Sequence, residues 1–147
     1  MKSDPINKGI DEKLFKKGIA INKNTPYHRL LGMNLSMVDK GIAELTAVVR
    51  EEHENPAGNA HGGMIFSLFD TALGMAIGTL GSYKITSLDA DINFIAPAKP
   101  GDTIKVTAKV VHLGKSTAVA EGQAYNQDGK LLAVCRETFF NLGSIGK

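Results

Sequence analysis

The sequence predicts an α+β fold in which an antiparallel sheet packs on one long helix. Residues 62–78 are apolar on nearly every side, which is typical of a helix that other elements enclose. Downstream segments alternate apolar and polar residues with the period of two that half-buried strands show. Short turns join these later strands in succession, as in an antiparallel sheet, and no parallel crossover is indicated.

The segments before the long helix predict short elements. Residues 10–20 are rich in lysine and predict a surface helix, so we interpret residues 1–24 as a helical N-terminal extension. Thr25 and Pro26 supply a cap and a first-turn proline for a short helix that runs to Leu31. Two strands around an Asp-Lys-Gly turn follow, at residues 33–39 and 42–50.

Four strands are predicted after the long helix. The first, residues 84–95, has one apolar face and one polar face. The apolar face holds Thr86, Leu88, Ala90, Ile92 and Phe94, and the polar face holds Ser87, Asp89, Asp91 and Asn93. The second strand covers residues 103–113, with Ile104, Val106, Ala108 and Val110 inward. The last two strands, residues 117–125 and 130–142, pair around a strong turn signal.

Length and composition restrict the class of protein. The chain of 147 residues is interpreted as a single domain, residues 1–147, with a substantial core. A net charge of only +2 gives no indication of a basic surface that binds nucleic acid. Cys135 is the single cysteine, which excludes an internal disulfide and suits a reducing compartment. We find no signal-peptide core, and the longest apolar run is too short to span a membrane, so a cytoplasmic location is expected.

One carboxylate, Asp70, lies in the middle of the apolar helix. A carboxylate in such a helix is expected to be buried, and burial is unfavourable unless a partner or a function requires it. The residue either caps a neighbouring backbone or takes part in chemistry, and we favour chemistry.

The start of the same helix offers a second group. Gly62 and Gly63 open it, and the first N–H groups of a helix have no internal partner and can hold a developing oxyanion. Asp70 lies eight residues further, roughly 12 Å along the axis at about 1.5 Å per residue. One chain cannot bring both groups to one carbonyl carbon. Two antiparallel helices in a two-fold dimer would place Asp70 of one subunit beside Gly62 of the other.

The spacing of these residues resembles a known signature. Asn55, five residues, His61-Gly62-Gly63, six residues and Asp70 are similar to the pattern of the PaaI-like hotdog-fold acyl-CoA thioesterases. The similarity continues through the strand after the helix and the later turns, and covers residues 25–142. It implies a hotdog fold, in which an antiparallel sheet wraps around one long central helix.

The resemblance implies roles for five residues in hydrolysis of an acyl-CoA thioester. Asp70 would be the nucleophile or the general base, and the Gly62 N–H of the partner subunit would polarise the carbonyl. Asn55 would position the attacking group or water. His61 would shape the loop and contact the thioester region, and Ser87 would orient water or substrate.

The resemblance also implies a surface for the coenzyme A portion of the substrate. The residues implied in substrate binding are Gly63, Phe94, Ala96, Pro97, Lys99, Gly114, Lys115 and Ser116. Lys99 and Lys115 would pair with phosphates. No metal and no separate cofactor are expected, and the partners are the acyl-CoA substrate and further copies of the chain, in a dimer or a tetramer of paired dimers. The sequence does not identify the acyl group of the substrate.

Other interpretations remain at this point. A hotdog hydratase or dehydratase uses a histidine with a carboxylate, which His61 and Asp70 could supply. A non-catalytic acyl-CoA-binding protein is a third class. Local roles are also open, because His61 could be only a helix cap and Asn55 only a turn residue.

Overall fold

The computed structural model describes residues 3–144. Its helices are α1 (Glu12–Asn24), α2 (Pro26–Leu30) and α3 (Gly62–Gly78), with a 3₁₀ turn at Glu51–His53. Its strands are β1 (Ile6–Asn7), β2 (Asn34–Asp39), β3 (Ile42–Val48), β4 (Tyr83–Phe94), β5 (Thr103–Leu113), β6 (Thr117–Tyr125) and β7 (Leu131–Ser144). Within these residues the strands form a seven-stranded sheet in the order β1-β2-β3-β5-β6-β7-β4. The predicted α+β class is confirmed, with α3 packed on the sheet.

Helix α3 begins and ends where the apolar segment does. The buried side chains lie on the sheet and include Leu68, Phe69 and Leu73. Phe69 packs on Gly122 of β6, where an added Cβ would lie 3.5 Å from the ring and 2.8 Å from the Thr107 carbonyl oxygen. Glycine at this position lets the helix approach the sheet closely.

The other face of α3 is more open than the sequence predicts. Residues at helical spacing on this face are only half-buried, namely Phe66, Ser67, Asp70, Thr71, Gly74 and Met75. The expectation that Asp70 is buried is therefore wrong for the single chain. The physical reason is that the sheet covers one side of the helix, while only parts of the N-terminal segment approach the other.

Strand β5 confirms its predicted inward face. Ile104, Val106 and Ala108 are fully buried, and Val110 is half-buried at the end of the core. The bounds of β5 and β6 match the predicted segments. The adjoining strands β3, β5, β6 and β7 pair in antiparallel fashion.

Strand β4 differs from its predicted half-buried pattern in two ways. It lies at the edge of the sheet and pairs only with β7, so most of its side chains are exposed, including Leu88 at 58% and Phe94 at 55%. A β-bulge also interrupts the register, since Ser87 is opposite Phe139 and Asp89 is opposite Thr138. The extra residue, Leu88, reverses the alternation, so Ser87 shares the helix-facing side with Ala90.

The N-terminal segment contains the predicted surface helix with different bounds, and a strand that the sequence did not predict. The short strand β1 pairs in parallel with β2, an exception to the antiparallel arrangement. Helix α1 extends to Asn24 rather than residue 20, and the Asp11 carboxylate caps its start at the Leu14 amide. The buried Asn22 ties this helix to the sheet, because its side chain bonds the backbone of Met33 and Leu35. None of the helices in residues 3–144 has both the length and the hydropathy of a membrane span.

Candidate active site

Asp70 and Ser87 meet between α3 and β4. The Ser87 hydroxyl donates to Asp70 Oδ1 at 3.1 Å. This contact depends on the bulge in β4, because strict alternation predicts Ser87 on the opposite, polar face. The structure therefore brings together two of the predicted site residues by a local irregularity.

A second carboxyl group lies beneath this pair. Glu137 of β7 is fully buried, and neither of its oxygens has a hydrogen-bond partner of good geometry within residues 3–144. Burial, reinforced by the neighbouring Asp70, raises the pKa of Glu137 to about 8. Sequence reasoning missed this residue. The signal was present, because Glu137 alternates with the buried Cys135 and Phe139 on the inward face of its strand.

Cys135 is a packed thiol in this region. It is buried, and burial raises its pKa to about 12, with smaller contributions from Glu137 and Asp70. A thiol with so high a pKa is almost entirely protonated near neutral pH and is a poor nucleophile.

A mainly apolar cavity of about 350 Å³ opens beside Asp70 and Ser87. Its walls come from α1, the open face of α3, and β4. The lining residues include Phe15, Gly18, Ile21, His28, Leu35, Thr71, Gly74, Met75, Tyr83, Ile85 and Phe139. The N-terminal extension thus forms one wall of a cavity next to Asp70, which the sequence did not indicate.

Helix α2 lies across the open face of α3. The Tyr27 hydroxyl is 2.7 Å from Ser67 Oγ, and Ser67 donates its only proton to the Gly63 carbonyl oxygen, so Tyr27 donates to Ser67. His28 lines the cavity with its Nε2 3.5 Å from Thr71 Oγ1. Burial lowers the pKa of His28, which favours the neutral ring.

The N-terminus of α3 presents one amide without a partner. His61 is the N-cap, and its Nδ1 accepts the Gly63 amide at 2.8 Å. The Gly62 amide makes no hydrogen bond within residues 3–144. The Phe94 ring packs against Gly62, where an added Cβ would lie 3.0 Å from the ring. The N–H that the sequence singles out is available, and Phe94 is placed beside it.

Asn55 organises the loop that leads into α3. Its Oδ1 accepts the amides of Ala57 and Asn59, at 2.9 and 3.1 Å. The Ala60 amide bonds the Ala98 carbonyl and joins this loop to the segment after β4. The side-chain oxygen of Asn55 is therefore engaged in the turn, and its Nδ2 group is the part left to contact a ligand.

The remaining predicted substrate contacts fall in two places. Ala96, Pro97 and Lys99 lie in the segment before β5, where the Lys99 amide donates to Asp102 and lowers the pKa of that carboxylate. Gly114, Lys115 and Ser116 form the turn after β5. The 11 residues of β5 separate these groups by about 36 Å at about 3.3 Å per residue. One chain does not bring Lys99 and Lys115 to a common ligand.

Each chain thus carries two separate groups of candidate site residues. Asp70, Ser87, Glu137 and the cavity lie at the middle of α3, and the free Gly62 amide lies at its start, about 12 Å away along the axis. No group of three or more His, Cys, Asp and Glu side chains suited to a metal ion occurs in the described part of the chain.

Comparison with known proteins identifies the family. Residues 57–133 match the family model of the thioesterase superfamily, which is slightly more than half of the chain. This protein belongs to the thioesterase superfamily. As a member it is a thioester hydrolase, and the resemblance to the PaaI-like group and the hotdog fold are confirmed.

Individual relatives agree with this assignment over most of their length. The chain is 32% identical to acyl-coenzyme A thioesterase PaaI of Escherichia coli K12, over 91% of this chain and 95% of that one. The solved structure of E. coli PaaI matches with a TM-score of 0.87 at 31% identity, over 92% and 98% of the two chains.

Two further relatives connect the family to coenzyme A. Human acyl-coenzyme A thioesterase 13 is 34% identical, over 81% of this chain and 87% of that one. A Streptococcus mutans protein solved with bound acetyl-CoA matches with a TM-score of 0.73 at 30% identity, over 76% of this chain and 90% of that one.

Proposed function

We propose that this enzyme hydrolyses acyl-CoA thioesters to a free acid and coenzyme A. The observation that carries the proposal is the Asp70 carboxylate, held by Ser87 at the mouth of an apolar cavity. The names of the relatives support acyl-CoA as the substrate class. The acyl group enters the cavity, and the coenzyme A portion stays at the surface.

Asp70 supplies the attacking group in one of two ways. As a nucleophile, its carboxylate attacks the thioester carbonyl, the C–S bond breaks, and water hydrolyses the resulting anhydride. As a general base, it takes a proton from water, whose oxygen attacks the same carbon. Both routes add one water and release one thiol. The Ser87 hydrogen bond fixes the carboxylate oxygen, and Asn55 Nδ2 positions the attacking group or water.

The carbonyl oxygen requires a donor where negative charge develops. The Gly62 amide has no partner in the described residues, and the positive end of the helix dipole adds to its effect. His61 contributes by capping Gly63, which leaves the Gly62 N–H as the donor that faces outward. No cofactor is proposed beyond the coenzyme A that the substrate carries.

A second copy of the chain completes the site. Strand β4 is a 12-residue edge strand with exposed apolar side chains, and such edges pair readily with another strand. In one chain Ser87 contacts Asp70, and Phe94 covers Gly62. If a two-fold axis passes through the Asp91 position, β4 pairs with its copy. Because Leu88 is an extra residue, Ser87 then lies opposite the partner's Phe94. Asp70 then faces the partner's Gly62.

Assembly of several subunits would also bring together the residues proposed to contact coenzyme A. Since Lys99 and Lys115 lie at opposite ends of β5, they can serve one coenzyme A only if they come from different subunits. We propose that Lys99 and the segment Phe94–Pro97 contact it from one subunit. The turn of Gly114, Lys115 and Ser116 would contribute from another, as in a tetramer of paired dimers.

The test is a panel of aryl-CoA and short, medium and long alkyl-CoA esters, assayed for released coenzyme A with wild type and Asp70→Asn. We expect turnover of at least one class by wild type and loss of that turnover in the variant. Hydration of an enoyl-CoA without thiol release would instead support a hydratase. Tight binding of the whole panel without turnover would support a binding protein.

A further inference from the structure

Glu137 is an unusual residue for a strand interior. It is fully buried beneath α3, and a carboxyl group in such a place is rare without a charged or hydrogen-bonded partner. Its cross-strand neighbours are both alanines, Ala90 on β4 and Ala120 on β6. The two small side chains leave room for the carboxyl group and cannot hydrogen-bond it, so its partner must come from α3 or from a displaced residue of β4.

The polar groups that face Glu137 narrow the choice. Asp70 of α3 and Ser87 of β4 are the polar side chains close enough to affect the pKa of Glu137, although neither forms a hydrogen bond of good geometry with it in the described residues. Ser87 has one hydroxyl proton, and Asp70 Oδ1 accepts it. Cys135 is the titratable neighbour on the same face of β7, and His28 of α2 is a titratable group that lines the same cavity as Asp70. The Ser87 Oγ can still accept, but it is neutral, so among the described residues the charged Asp70 carboxylate is the stronger acceptor for a proton on Glu137.

Two carboxyl groups in contact cannot both be ionised without a large penalty, and a proton shared between them removes it. Glu137 is the one that keeps the proton, because it is fully buried and desolvation raises its pKa, whereas the Asp70 side chain is only half-buried.

We propose that Glu137 is a positioning residue for Asp70: its buried carboxylic acid group donates a hydrogen bond to the Asp70 carboxylate and, with Ser87, fixes the orientation of the attacking oxygen. This inference rests on the proposed function of Asp70. Glu137 itself is fully buried and acts only through Asp70. Its proton is not consumed in turnover, since the water that adds to the acyl carbon supplies the proton that leaves with the thiol.

The arrangement has a consequence for the pH dependence of turnover. Glu137 loses its proton as the pH passes about 8, and the donor to Asp70 is then replaced by a second negative charge. The wild-type kcat should therefore fall on the alkaline side. Glutamine at this position keeps an N–H donor at every pH, so Glu137→Gln should lack that alkaline limb.

The experiment measures kcat and KM from pH 6 to 10 by chromatography of the released coenzyme A. Glu137→Gln should retain kcat within about threefold at pH 7 and stay active beyond the alkaline limb of wild type. Glu137→Ala should lower kcat by about 10- to 100-fold with little change in KM, because a misplaced attacking group slows chemistry more than binding. Cys135→Ala, two residues away on the same buried face, is the control for lost volume and should keep the wild-type profile.

If the kcat of Glu137→Gln falls at alkaline pH as that of wild type does, the proposal is overturned, whatever the kcat of Glu137→Ala. Should Glu137→Ala fail to fold, the glutamine profile still decides. Asp70→Asn in the same series separates this result from the proposed function. If Asp70→Asn keeps wild-type turnover, the proposed role of Asp70 is wrong. If Asp70→Asn loses turnover but Glu137→Gln keeps the alkaline fall in kcat, only the proposed role of Glu137 is rejected.

Discussion

The surroundings of Asp70 determine how accessible and how well oriented its carboxylate is. It lies on the half-exposed face of α3, where water and ligand can reach it, and Ser87 restrains one of its oxygens. A freely rotating carboxylate would spend part of its time turned away from the substrate. The restraint costs little, because the hydrogen bond forms before the substrate binds.

Replacing Asp70 by asparagine tests the attacking group. The amide has nearly the same shape and can still accept from Ser87, but it neither forms the anhydride nor takes a proton from water. We expect kcat to fall by on the order of 10²–10⁴-fold while KM and the melting temperature stay close to wild type. Steady-state kinetics with the best substrate of the panel checks this, and an unchanged kcat would contradict both routes proposed for Asp70.

Gly62 allows a test of a single backbone N–H. It is the first residue of α3, a position that tolerates proline, and the extended backbone of His61 suits a residue before proline. Gly62→Pro removes the amide proton, whereas Gly62→Ala adds the same Cβ beside Phe94 and keeps it. We expect the proline variant to lose about 10²–10³ in kcat relative to the alanine variant. Equal rates for the two would exclude the amide as a carbonyl donor.

The protonation of Glu137 has a signature in stability as well as in activity. Its pKa is raised from 4.5 to about 8 in the folded chain, so between these values the folded state holds a proton that the unfolded state has released. Stability from this group is complete below about pH 4.5 and is lost as the pH rises toward 8. Thermal unfolding should therefore show that the melting temperature of wild type falls relative to that of Glu137→Gln as the pH rises from 4.5 to about 8.

The comparison with Glu137→Gln removes other titrations from the result. Burial lowers the pKa of His28 and of His53, so these two groups make stability rise with pH near 6.5. Both histidines are present in wild type and variant, and their effects cancel in the difference. A constant difference from pH 4.5 to 8 would show that Glu137 is not protonated in the folded enzyme.

At the scale of elements, α1 and α3 together define the cavity. Gly74 lies in the interior of α3 on the cavity wall, and an added Cβ would come no closer than 3.8 Å to Ile85. Because glycine is unfavourable inside a helix, Gly74→Ala should stabilise the fold by about 0.5–1 kcal/mol. The added methyl group also narrows the cavity.

The effect of this narrowing should depend on the acyl group. We expect Gly74→Ala, and more strongly Gly74→Leu, to raise KM for the bulkiest acyl-CoA substrate while leaving the shortest one unaffected. The ratio of kcat/KM for the two substrates measures this, and each variant is its own control. An equal change for both substrates would place the acyl group elsewhere.

At the scale of the whole molecule, we propose that the two halves of the site come from different subunits. If Asp70 works with the Gly62 amide of its partner, a mixed dimer of Asp70→Asn and Gly62→Pro chains contains one intact site and one doubly defective site. Random mixing makes about half of the dimers mixed, so about a quarter of the wild-type activity should return. Each variant alone supplies the baseline.

The two possible site arrangements give opposite results in this mixture. If both groups acted within one chain, every site would carry a defect and mixing would restore nothing. Unfolding and refolding the two chains together ensures exchange, and size-exclusion chromatography with light scattering reports whether dimers have formed. A fully active monomer would contradict the shared site.

Some features could be predicted from the sequence because they are set by local pattern. The bounds of α3 follow from a continuous apolar run between glycines, and the inward face of β5 follows from strict alternation. The separation of Asp70 from Gly62 follows from the rise of a helix alone. These features depend on residues close in the chain, so no knowledge of the tertiary fold is needed.

The tertiary structure decided what depends on distant residues. The bulge at Leu88 turned Ser87 toward Asp70, against the simple period of two, because β4 has one more residue than β7 between the Ser87–Phe139 and Asp89–Thr138 pairs. Packing of the N-terminal segment made α1 a wall of the cavity. The buried Glu137 is separated from Asp70 by 67 positions in the chain, and only the folding of β7 beneath α3 brings that carboxyl group near Asp70.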